Sequence, residues 1–71
     1  MAKISAKEVL QSQSGWIITK VIQGYNGEVR IDAKRRFHKA DEPNFFSEWV
    51  SLKYANRCRR EVGKNDLEMD Y

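Results

Sequence analysis

The dipeptide Asn26-Gly27 constrains this chain more than any other feature. Both central positions of a type I′ turn need positive φ, and this pair accepts it most readily. On the downstream side, Val29, Ile31, Ala33 and Phe37 alternate with Glu28, Arg30, Asp32, Lys34, Arg36 and His38. A period of two sends those sets to opposite faces of a strand, so residues 16–38 read as a β-hairpin. Centring the turn on Asn26-Gly27 pairs Ile22 with Ile31, Lys20 with Ala33, Ile18 with Arg35 and Trp16 with Phe37. The core face then carries Trp16, Ile18, Ile22, Val29, Ile31, Ala33 and Phe37. The outer face carries Arg30, Lys34 and Arg36 beside Ile17, Thr19 and Val21. A two-stranded ribbon is rarely stable by itself in water, so a helix, a third strand or a second copy must cover it.

The flanking segments supply candidates. Ser5-Ala6-Lys7-Glu8 has the spacing of a capping box, with Ile4 and Val9 placed as a hydrophobic staple, which predicts a short helix ending before Ser14-Gly15. The alternation Ile4, Ala6, Glu8, Leu10 also permits a strand there, and both readings stay open. Downstream, Asp41 as cap and Pro43 in the first turn predict a helix from Glu42 to Val62, stopped by Gly63. Lys53, Arg57, Arg60 and Lys64 form one stripe of that helix, almost opposite the small residues Ser51, Ala55, Cys58 and Val62. Its first turns are apolar nearly all round, because Phe46, Trp49 and Val50 project toward the basic side. The expected fold is therefore α+β: an N-terminal helix or strand, a hairpin with an Asn-Gly turn, and a C-terminal helix packed on the sheet. Dimerisation would complete it.

With 71 residues there is room for one core, and residues 1–64 read as a single domain. Residues 65–71 contain Asp66, Glu68 and Asp70 and no basic residue, and read as a mobile acidic tail. Thirteen basic residues against ten acidic ones give a net charge of +3; without the three tail acids the balance on residues 1–64 is +6. One cysteine excludes a disulfide framework. No apolar run is long enough for a membrane span, and Met1-Ala2-Lys3-Ile4-Ser5 lacks the apolar core of a signal peptide, so the expected location is the cytoplasm.

The chemistry-bearing residues are sparse. A single His38 and a single Cys58 fall short of a metal site, and Cys58 on a packing face reads as a small buried hydrophobe. Gly24-Tyr25-Asn26-Gly27 lacks the lysine and the following helix of a phosphate loop. The chain is expected to be no enzyme, with no cofactor, no metal and no small-molecule substrate.

Two binding functions remain. The basic surplus suits nucleic acid, with Arg30, Lys34 and Arg36 on the ribbon and Lys53, Arg57, Arg60 and Lys64 on the helix as phosphate contacts, in a small DNA-binding or regulatory protein. Tyr25 and Trp49 are placed to stack on bases of a single strand. The alternative is an inhibitor or adaptor that contacts a host protein through Phe46, Trp49 and Val50. A hairpin followed by a helix resembles the strand-and-helix arms that bind DNA in integrases and plant transcription factors, whose usual third strand this reading does not supply; no residue is carried over. In size and charge the chain is similar to small phage-encoded regulators.

Overall fold

A computed structural model of the chain describes residues 4–68. Chain order is α1 (Ala6–Gln11), β1 (Trp16–Gln23), β2 (Glu28–Arg35), β3 (Phe45–Ser51) and α2 (Leu52–Glu61). The strands form one antiparallel sheet in the order β1-β2-β3. The N-terminal segment is a helix, not a strand. The Ser5 hydroxyl accepts from the Glu8 amide at 3.2 Å, satisfying one of the donors a helix start leaves open.

The largest departure from expectation is residues 45–51. They form a third strand, and the C-terminal helix begins only at Leu52. Phe-Phe-Ser-Glu-Trp-Val-Ser is rich in aromatic residues suited to a pleated, half-buried surface. Phe46 and Val50 go to the core side, while Phe45, Ser47, Trp49 and Ser51 are exposed. The apolar residues that crowd every side of a helix separate cleanly at a period of two. Asp41 and Pro43 accordingly belong to the connection between β2 and β3, and Ser51 is the cap of α2, accepting from the Tyr54 amide at 3.4 Å.

The hairpin register also differs. Asn26 and Gly27 both adopt positive φ, at 57° and 76°, and the Glu28 amide donates to the Tyr25 carbonyl. The ladder closes one step earlier, at Gly24 with Glu28, so Ile22 faces Arg30 and Val21 faces Ile31. A bulge between Ile18 and Lys20 then shifts the pairing again, placing Ile18 opposite Ala33 and Trp16 opposite Arg35. Three placements are corrected as a result. Val21 is buried where Ile22 was expected, Ile22 moves to the other face, and Phe37 lies past the end of β2 with 73% of its surface exposed.

The core fills the space between the helices and one face of the sheet. Val9 and Leu10 of α1 and Ala55 and Cys58 of α2 are buried with Trp16, Val21, Val29, Ile31, Ala33 and Phe46. The small side chains of Ala55 and Cys58 leave little between the α2 backbone and the elements it covers. Gly63 ends α2 at φ 77°. Its amide reaches the Arg60 carbonyl and the Lys64 amide reaches the Arg59 carbonyl, which satisfies carbonyls the helix end leaves free. Of the tail expected to be mobile, residues 65–68 are described. The Leu67 amide donates to Asn56 Oδ1 at 2.9 Å, and its side chain packs against the core. The remaining tail residues, 69–71, lie outside the described residues. Among the described residues no helix is long and apolar enough to cross a membrane.

Candidate nucleic-acid interface

With both helices on one face, the other face of the sheet carries no second layer among the described residues. The alternation of β2 places Arg30, Asp32 and Lys34 there, opposite the buried Val29, Ile31 and Ala33. The β2–β3 register sets Arg30 directly across from Trp49, Asp32 across from Ser47, and Lys34 across from Phe45. From β1, downstream of the bulge, Lys20 stands opposite Asp32 and Ile22 opposite Arg30. With Glu28 across from Ser51, this face has four rungs between β2 and β3, and two of them pair a cation with an aromatic ring. Phe45 is 79% exposed and Trp49 52% exposed. Both rings are open to contact from outside, one at each side of the Asp32–Ser47 rung.

The Asp32–Ser47 rung is tied together by two hydrogen bonds and an ion pair, with Arg30 Nε 3.2 Å from Asp32 Oδ1 but buried without a hydrogen bond. The Ser47 hydroxyl donates to Asp32 Oδ1 at 2.7 Å, and Arg30 Nη2 donates to Asp32 Oδ2 at 3.2 Å. The Ser47 hydrogen bond is the main cause holding the Asp32 carboxyl below the ordinary carboxylate range; Arg30 and the charge of Lys20 act in the same direction against partial burial. Asp32 therefore remains ionised and fixes Arg30, with Lys20 facing it from β1.

Trp49 is also fixed. A Cβ built on Gly24 would meet Trp49 Cζ3 at 2.3 Å, with Cη2 and Cε3 at 3.0 and 3.1 Å. Only glycine admits that approach. Gly24 closes the β1–β2 turn and Trp49 belongs to β3, so the indole must lie across β2 rather than stand off the sheet.

The other sequence-derived residues fall elsewhere. Arg36 follows the end of β2; its amide donates to the Gly15 carbonyl, and its guanidinium lies 6.0 Å from the Phe37 ring centroid. Lys53, Arg57 and Arg60 line a shallow depression on α2 with Glu61. At 3.6 residues per turn they point nearly opposite to Ala55 and Cys58, away from the sheet. The ribbon and helix cations therefore do not form one surface. Lys64 leaves the stripe, since its ammonium donates to the Ser12 carbonyl. Arg60 is engaged by Asp66 through Nε at 2.7 Å and Nη2 at 2.5 Å, and Arg59 Nε donates to the Asn65 carbonyl at 2.7 Å. The Arg60 hydrogen bonds hold the Asp66 carboxyl below its ordinary range.

Of the alternative protein-contact set, Phe46 is buried in the core and Val50 packs against it, so Trp49 alone is presented to a partner. Sequence reasoning missed Phe45 and Lys20 as members of the open face. The signal was the alternation of residues 45–51, hidden by reading the segment at helical spacing. Among the described residues no group of three or more His, Cys, Asp or Glu side chains is arranged to hold a metal. No protein-family model, curated protein or solved structure matches the chain.

Proposed function

We propose that this chain is a small non-enzymatic protein of the cytoplasm that binds nucleic acid through the uncovered face of its sheet and acts as a regulator by occupying it. The observation that carries the reading is the register that sets Arg30 across from Trp49 and Lys34 across from Phe45. Cations on such a face neutralise phosphates, and exposed rings stack on bases. Lys20 extends the positive strip onto β1. Lys53 and Arg57 offer a separate phosphate-contacting patch on the opposite side.

The test is the salt dependence of binding to mixed-sequence oligonucleotides. Arg30→Ala and Lys34→Ala should each weaken binding and flatten the slope of log K against log salt by about 1. Lys53→Ala and Arg57→Ala should change it less. Binding that ignores salt and both sheet substitutions refutes the reading. An inhibitor or adaptor that captures a host protein is the second reading, favoured by the exposure of Trp49 and Phe45. Its signature is a partner retained from lysate after nuclease treatment and lost with Trp49→Ala.

A further inference from the structure

We infer that the notch at the tip of the β1–β2 hairpin holds an unpaired nucleobase, so that the nucleic acid engaged by the sheet is single-stranded at that point. This rests on the nucleic-acid reading above and narrows it. The notch has a volume of about 270 Å³ and is lined by Tyr25, Asn26, Glu28 and Trp49.

Three features suit a base. The first is preorganisation: Trp49 is held across β2 by its contact with Gly24, so a stacking partner meets a ring already in place. The second is a further ring. Tyr25, 90% exposed beside two residues of positive φ, also lines the notch. In a duplex the broad faces of the bases are covered by their neighbours, so ring surfaces of this kind are used only when a base leaves the stack. The third is charge. Arg30, in register with Trp49, is ion-paired with Asp32 at 3.2 Å yet 38% exposed, and its remaining donors can meet the adjoining phosphate. Glu28 repels phosphate but accepts hydrogen bonds from a base amino group, as carboxylates do from cytosine N4. A carboxylate in the notch thus favours a base with an exocyclic amino group over thymine or uracil, whose single N3–H lies between two carbonyls that a carboxylate repels.

The experiment is a titration of the full chain with labelled homopolymers of cytosine and of thymine or uracil, as DNA and as RNA, and with a duplex of equal length at the same salt. Single strands of one or both sugars should bind more tightly than the duplex, and cytosine more tightly than thymine or uracil. Trp49→Ala should weaken single-strand binding roughly tenfold while leaving the salt slope unchanged, because stacking releases no counterions. Trp49→Phe should keep most of the affinity. Tyr25→Ala, at an exposed position that the fold does not need, should lose several-fold. Glu28→Gln should remove the cytosine preference. Duplex bound as tightly as single strands, or affinity unaffected by Trp49→Ala and Tyr25→Ala, overturns the base site. If Arg30→Ala and Lys34→Ala still weaken binding in that case, the broader reading survives. Equal affinity for the homopolymers, unaltered by Glu28→Gln, overturns the role given to Glu28. No binding to any of these ligands overturns both readings.

Discussion

The guanidinium of Arg35 stands 4.6 Å from the centroid of the Trp16 ring while its Nε donates to the Pro43 carbonyl at 2.7 Å. Its Nη2 also lies 3.7 Å from Glu42 Oε2, and only 9% of the side chain is exposed. One residue at the end of β2 thus covers a core tryptophan and holds the connection to β3. Arg35→Lys keeps the charge but cannot reproduce the planar fork. It should lower stability by about 1–2 kcal/mol, read as a drop in the urea midpoint at constant m.

Adjacent phenylalanines separate the strand from the helix first expected at residues 45–51. Phe46 is buried and Phe45 faces water. Phe46→Ala should cost about 3–5 kcal/mol, whereas Phe45→Ala should stay within about 0.5 kcal/mol of the parent. Equal costs in thermal melts would contradict the alternation of β3.

Gly24→Ala places a methyl group against the Trp49 ring, and the indole must swing off β2. The substitution should destabilise by about 1–3 kcal/mol. Trp49→Ala in the same chain should remove most of that penalty. A double-mutant cycle measures the coupling, expected at about 0.5–3 kcal/mol; additive losses would deny the contact.

Acid should release the Ser47–Asp32–Arg30 rung. The Asp32 carboxyl is held below its ordinary range in the folded state, chiefly by the Ser47 hydroxyl. Its contribution is therefore fully present above the unfolded value of about 4 and is lost as pH falls through the folded one. Stability measured from pH 6 downward should decline less steeply in Asp32→Asn than in the parent. Identical acid limbs would mean that the rung does not contribute.

Much of the architecture was legible because short-range rules act locally. Ser5 and Glu8 mark the start of α1, Gly63 marks the end of α2, and the alternation of Val29, Ile31 and Ala33 gives the buried face of β2. The cations Arg30 and Lys34 follow from the same alternation. What escaped depends on pairing. Asp41-Glu42-Pro43 satisfies the rules for a helix start, yet Phe46 and Val50 gain more by joining the sheet, which a local reading cannot weigh. The anomaly was visible as apolar residues on every side of a proposed surface helix. Phe45 and Trp49 became site candidates only once β3 existed. The early closure of the hairpin moved Val21 inward, and no residue type announces that step.

The extra residue at Thr19 divides β1 into two phases. Upstream, even positions such as Trp16 and Ile18 turn inward; downstream, the odd Val21 does. Removing Thr19 would leave Ile18 and Lys20 as neighbours across from Ala33 and Asp32, so that Trp16, Ile18 and Val21 still turn inward and only the bulge is lost. The bulge is accordingly the point at which β1 can lose a residue without exchanging polar for apolar side chains along a half-strand.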